Sequence, residues 1–334
     1  MKRALLIGIN YLGTPSQLSG CINDINNVGS YLFNVRKYNS FLILTDYTRV
    51  KPTKANILQA FNALFTNVRA GDELWFHYSG HGSLLRDTNG DEESGYDSCI
   101  CPLDYERSGF ISDDVIRQML AQRVPSGVKL YIVLDACHSG TGCDLRYKYD
   151  DNSYLTNTKA SLPTKYIPTD WSLQQTSYEF KKYNKTMGEV YSISGCQDDQ
   201  TSADAFIEGQ ATGALTYILL SCLRANPLAT YKWKHLLKDI CCSEKIRGFT
   251  QKTCITSGTP INLEGGVFST TTTTTSRNII SQNSQTQSQT QSQTHSQTQT
   301  QSQTQSQPLF VLNNKILSSK RSTHHTLSRF ILTN

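Results

Sequence analysis

No apolar run in the chain comes near the ~20 residues that a membrane-spanning helix needs, so no helical span is expected. Lys2-Arg3 ahead of Ala4–Ile9 has the order of a secretory leader, but the run is too short and no small-residue cleavage site follows. Zinc-type cysteine spacing is missing as well: Cys99-x-Cys101 and Cys241-Cys242 lack both the two-residue gap and a matching second pair. Ten cysteines scattered over 334 residues do not form the framework of a small disulfide-stapled domain, which makes a reducing compartment, the cytoplasm, the expectation. Acidic residues are absent after Phe268, where the remainder carries Arg277, Lys315, Lys320, Arg321 and Arg329. Taking these five from 32 basic residues leaves 27 against 27 acidic ones in Met1–Phe268. The body is thus neutral, and neither nucleic acid nor a membrane is an expected partner, because phosphate neutralisation needs grouped Lys and Arg.

What is present is alternation. The length suffices for a sizeable core, and short apolar runs alternate with helical patterns, the signature of an α/β fold with a mostly parallel sheet flanked by helices. Strands are predicted at Ala4–Ile9, Phe41–Leu44, Glu73–Tyr78, Val128–Leu134 and Val190–Ser194, with a last short one at Thr259–Leu263. Cys21, Ile25, Val28 and Leu32 recur at helical spacing. Thr53 is the expected N-cap of a helix carrying Ile57, Phe61, Leu64 and Val68, and Ser112 or Asp113 caps another carrying Val115, Ile116, Met119 and Leu120. Ala214–Leu223 and Trp233–Ile246 read as further helices. The order suggests a large catalytic segment at 1–144, an exposed linker at 145–188, a smaller segment at 189–268 completing the same domain, and a Ser/Thr/Gln-rich tail at 269–334. The tail cannot bury enough apolar surface to offset ordering entropy, so disorder is expected there, with a small docking segment from Leu309–Leu312 and Ile316-Leu317 as the alternative.

Two glycine-bracketed loops leave predicted parallel strands: Ser79-Gly80-His81-Gly82 and Asp135-Ala136-Cys137-His138-Ser139-Gly140. Sites in open α/β sheets gather beyond the carboxyl ends of the strands. A thiol and an imidazole delivered there suggest a nucleophile and its proton partner, with the Gly82 and Cys137 amides as oxyanion donors. Spacing alone leaves open a buried cysteine beside a core histidine. His138 adjoins the thiol in sequence, but neighbouring side chains on an extended segment diverge. His77, inside the strand, reads as a core histidine.

Asp135 and Ser79 stand two residues before Cys137 and His81, so in extended geometry each projects to the same side as its neighbour. A carboxylate there raises the thiol pKa unless it meets a cation, which a substrate Lys or Arg would supply. Asp24 follows Cys21 by three residues near a helix start, where it either joins this pocket or serves as an N-terminal helix charge. The acidic run from Asp87 to Glu93 and the pair Asp113-Asp114 suggest a hard-cation site or a solvated loop. An EF-hand is excluded, because Glu92 and Ser98 stand where Gly and Glu are required.

These residues resemble the metacaspases, in the type I arrangement of the caspase-like three-layer fold. The matching stretches are Ala4–Tyr11, Leu18–Asp24, Phe76–Gly82, Leu134–Gly140, Ser194–Asp204 and Ala211–Ala214, a likeness running over about residues 2–265. The resemblance implies a cysteine endopeptidase with a His81–Cys137 dyad that cleaves protein or peptide substrates after Lys or Arg. It places Cys21, Asp24, Ser79 and Asp135 in the basic-residue pocket and Asp97, Asp113, Asp114 and Asp144 as ligands of an activating Ca2+. It implies a monomer, and self-cleavage within Arg146–Lys185 is expected from the basic residues there. The Pro-rich N-terminal segment of many type I members has no counterpart here. The alternative from another class is a catalytically silent caspase-fold scaffold that assembles through its Gln-rich tail.

Overall fold

The computed structural model describes residues 1–88, 95–137, 143, 145–149, 174–175, 186–196, 205–207, 210–226, 230–247, 252–268 and 312–313. Five parallel strands form the centre: β1 (Lys2–Gly8), β2 (Ser40–Thr45), β3 (Glu73–Ser79), β7 (Lys129–Asp135) and β10 (Glu189–Cys196), in the spatial order β2-β1-β3-β7-β10. Beyond β10 the sheet continues antiparallel through β13 (Lys252–Ser257), β8 (Tyr147–Tyr149) and β9 (Gln174–Gln175).

The apolar runs of the central strands are continuous because both sheet faces are covered. In β1, Leu5 and Ile7 join one core cluster while Ala4 and Leu6 join the other, the period-two alternation of a strand. The first cluster packs under α2 (Lys54–Leu64) and α4 (Asp113–Met119), through Ile57, Phe61, Leu64 and Ile116. The second packs under α1 (Cys21–Asn34), α5 (Ala214–Ala225) and α6 (Trp233–Ile246), through Ile25, Val28, Leu215, Leu219 and Leu236. The result is the expected three-layer α/β arrangement. Both predicted caps form: Thr53 Oγ1 accepts from the Asn56 amide and Ser112 Oγ from the Val115 amide, each at 3.4 Å.

Over the carboxyl end of β3 the chain folds back as β4 (Gly82–Arg86) and β5 (Tyr96–Ile100), joined after the short helix α3 (Tyr105–Ser108) by β6 (Ile111–Ser112). A small hairpin of β11 (Ala205–Ile207) and β12 (Gln210–Thr212) leads into α5.

Three expectations change. The strand after α6 is β13, not Thr259–Leu263: its ladder with β10 ends at Ser257, and Pro260, without an N–H, cannot extend it. Within 145–188, read as exposed linker, Leu145 and Tyr149 are buried because β8 joins the sheet, and the Tyr149 hydroxyl accepts from the Ile261 amide at 2.7 Å. Most of that segment, and with it most of the expected self-cleavage region, lies outside the described residues. In the tail, Leu312–Asn313 forms β14 and pairs antiparallel with the outer side of β2; the rest of 269–334 is outside the described residues.

Candidate active site

Parallel pairing of β3 with β7 sets Ser79 opposite Asp135 as the last rung. Two residues further on, each chain has left the sheet, and the residues delivered there are His81 and Cys137. The Gly80 amide donates to the Asp135 carbonyl at 3.3 Å, tying the exits together. Gly82 then passes so close that a Cβ on it would lie 1.8 Å from the Cys137 carbonyl oxygen. Only glycine permits that approach.

The Cys101 amide donates to the His81 carbonyl at 3.1 Å, which makes Gly82–Ile100 the non-hydrogen-bonded rung of the β4–β5 ladder. The Gly82 N–H therefore points out of that ladder. Cys137 is half-buried at the exit. Burial pushes the Cys99 and Cys101 thiols up to about 12 and Cys222 up to about 11, so those three stay protonated.

His81 is held on three sides. Its Nε2 lies 2.7 Å from the Ser16 carbonyl, which accepts only from a protonated nitrogen. Its ring lies against Tyr11, with centroids 4.7 Å apart and planes at 39°. Its amide donates to the Tyr11 hydroxyl at 3.1 Å, and its carbonyl accepts from the Tyr78 hydroxyl at 2.7 Å. Tyr11 adopts a left-handed φ of 50° to reach this position, a conformation that costs about 1 kcal/mol or more.

A second cluster lies behind the exits. Asp24, in the first turn of α1, is fully buried, and its Oδ2 accepts from Ser79 Oγ at 2.6 Å. Its Oδ1 accepts from Thr212 Oγ1 at 2.5 Å, and the Gly213 amide reaches both oxygens, at 2.9 and 3.0 Å. Asp135 Oδ2 accepts from the amide and hydroxyl of Thr216, at 2.8 and 2.6 Å. Gly213 sits between the two acids: a Cβ there would lie 2.2 Å from Asp135 Oδ2 and 2.8 Å from Asp24 Oδ2. Burial, and then the charge of Asp135, raises Asp24 to about 7; burial likewise raises Asp135. Among the described residues neither carboxylate is paired with a Lys, Arg or His. Of the four residues expected in a basic-side-chain pocket, Asp24, Ser79 and Asp135 converge, while Cys21 opens α1 one turn away and is buried.

The acids expected to bind a cation are only partly gathered. Asp97 and Asp113 are buried where β5 meets α4. Asp113 Oδ2 accepts from the Ser98 amide at 3.0 Å and Oδ1 from the Asp114 amide at 2.9 Å. Asp114 is ion-paired with Arg117. These are hard oxygen donors suited to calcium, yet among the described residues no three His, Cys, Asp or Glu side chains form a group able to hold an ion. Asp144 lies outside the described residues.

Sequence reasoning missed the Ser16 carbonyl, Tyr11, Thr212 and Thr216. A backbone acceptor leaves no trace in residue type. Thr212 was within a quoted motif, and Thr216 follows Gly213 by three residues on the inward face of α5, so the helical period was the available signal.

Comparison with known proteins shows the family and the fold. A family model described as metacaspase, peptidase C14 domain, matches residues 2–146. Metacaspase-1 of Botryotinia fuckeliana is 38% identical over 290 residues, covering 78% of this chain and 68% of that protein. Metacaspase-1A of Aspergillus oryzae is 39% identical over 259 residues, covering 69% of this chain and 62% of its own length. A solved structure from Geobacter sulfurreducens shares the fold, with a TM-score of 0.54 at 23% identity over 80% of this chain and 98% of that one.

Proposed function

From its membership of the metacaspase family, which makes this chain a cysteine-type endopeptidase, we propose that it cleaves after Lys or Arg through a Cys137–His81 dyad and is activated by calcium. The observation carrying the specificity is the buried Asp24–Asp135 pair, which among the described residues is answered by neutral hydroxyl and amide donors. Two like charges in one dry pocket repel. A substrate guanidinium or ammonium between them relieves that repulsion and favours the ionised form of Asp24 beside an ionised Asp135.

In the proposed reaction the Cys137 thiolate attacks the scissile carbonyl carbon, and the oxyanion is received by the Gly82 and Cys137 amides. With Nε2–H committed to the Ser16 carbonyl, Nδ1 is the nitrogen of His81 left to carry the working proton. It passes this proton to the leaving amine as the C–N bond breaks, leaving a thioester on Cys137. Nδ1 then takes a proton from the attacking water, the C–S bond breaks, and the carboxylic acid product leaves, restoring the Cys137 thiolate beside the protonated His81.

For calcium, the proposed ligands are Asp97, Asp113, Asp114 and Asp144. The oxygen-donor chemistry of the first three supports this, with the Asp114–Arg117 pair having to yield. Bound there, the ion would supply charge neutralisation and order to the β5–α4 region.

The test is hydrolysis of paired fluorogenic peptides ending in Arg and in Asp, with calcium or chelator, by wild type and Cys137→Ala. Cleavage after Arg alone, dependent on calcium and on Cys137, is the expected result. Cleavage after Asp overturns the pocket, and calcium-independent turnover overturns the ion.

A further inference from the structure

Behind Asp135 runs a polar chain that the reaction above does not use. Thr216 commits its hydroxyl hydrogen to Asp135 Oδ2, at 2.6 Å, so its oxygen is left as an acceptor. The atom facing that oxygen is His77 Nε2, 3.1 Å away. His77 is fully enclosed in β3, and burial depresses its imidazole to about 3, so it is neutral and carries one proton. The geometry puts that proton on Nε2. The other nitrogen, Nδ1, is buried with no hydrogen-bond partner among the described residues and is then a bare lone pair. The donor direction is fixed: His77 to Thr216 to Asp135. Reversing it, as a protonated Asp135 donating to Thr216 would require, moves the imidazole proton to Nδ1 and strands an N–H in the core. A stranded buried donor is the rarer and costlier defect.

We propose that His77 and Thr216 are positioning residues of the specificity pocket, a one-way hydrogen-bond chain that keeps Asp135 ionised and aimed at the cationic side chain of the substrate. The proposal rests on the pocket reading above. Among the described residues, the titratable group acting on Asp135 from α1 is Asp24, and His77 from β3 reaches it through Thr216; α5 contributes the neutral Thr216 and the Leu215 amide.

The test uses full-length Thr216→Val, which keeps shape and loses the hydroxyl, and Thr216→Ser, which keeps the hydroxyl. Thr216→Ala is read the same way if the valine variant loses its thermal transition. Steady-state kinetics are measured from pH 5.5 to 9 on a peptide ending in arginine and on its neutral isostere ending in citrulline, alongside alkylation of Cys137 by uncharged iodoacetamide. In Thr216→Val, KM for the arginine peptide is expected to rise about tenfold near neutrality, the loss of one hydrogen bond to a charge, with the acid limb displaced to higher pH. The saturated rate, the citrulline peptide and the alkylation rate should each stay within about twofold, and Thr216→Ser should restore KM. Equal losses on both peptides, slowed alkylation, or an unmoved acid limb would overturn the proposal. Asp135→Asn separates the two readings: if it cleaves the arginine peptide like wild type, the pocket itself is wrong. If it loses arginine preference while Thr216→Val does not, only the His77–Thr216 chain falls.

Discussion

Asp24 and Asp135 on one side, and Asp97 and Asp113 on the other, are buried to nearly the same degree, between 0% and 8% exposed. What answers their charge differs. The first pair receives hydroxyls and amides, which stabilise a carboxylate without neutralising it, and the two acids bracket one glycine. Asp113 in the second pair also receives amides, but its partly exposed neighbour Asp114 is ion-paired with the Arg117 guanidinium, so a cation already stands beside that pair. Burial of an aspartate therefore says little about its task. The identity of its donors says more, because a site surrounded by neutral donors keeps its net charge for an incoming cation.

The strongest way to break this contrast is Asp135→Asn, which should lower kcat/KM on arginine peptides by about 100-fold or more, the cost of removing one partner from a buried charge pair, while Asp113→Asn at saturating calcium should not. Peptide kinetics on both variants decide it. Next is pH. Asp24 must ionise to receive a cation, so KM for arginine peptides should climb about tenfold for each pH unit below about 7. The unliganded protein should show the opposite linkage. A carboxyl raised from 3.8 to about 7 on folding favours the native state at low pH and loses that contribution as pH rises through the same window. Urea titrations of wild type and Asp24→Asn should differ in slope there; matching slopes would remove the raised pKa. Third, Asp113→Asn should shift half-activation by calcium to about tenfold higher concentration, one charged ligand being lost. The smallest effect belongs to Arg117→Gln. An i,i+3 ion pair contributes about 0.3 kcal/mol, so melting should move by about 1 °C. Calcium should then activate at lower concentration, since Asp114 is released.

Most of the scaffold was legible because its signals are local. The continuous runs that became β1, β3 and β7, the caps Thr53 and Ser112, and helix Trp233–Ile246 all follow from neighbours in sequence. Lys252–Ser257 was not, because its apolar part is only the pair Cys254-Ile255 between polar residues, a pattern that becomes a strand against β10. At the site, Ser79 and Asp135 were readable from their spacing to His81 and Cys137. The Thr216–Asp135 and Ser16–His81 contacts were not, since both join residues 65 or more positions apart. His77 was read as a core histidine; it is buried, and its partner Thr216 joins it to the pocket.

The hydrogen bonds from Thr212 and Gly213 to Asp24 span 188 and 189 positions. During vectorial synthesis, the nucleophile and its imidazole emerge from the ribosome well before the segment that closes the pocket around Asp24. A fragment ending before β12 lacks both of these donors to Asp24 and also Thr216, the donor to Asp135, together with the part of the second core cluster that α5 and α6 supply. The surroundings of the two carboxylates are therefore completed only after most of the chain has been made.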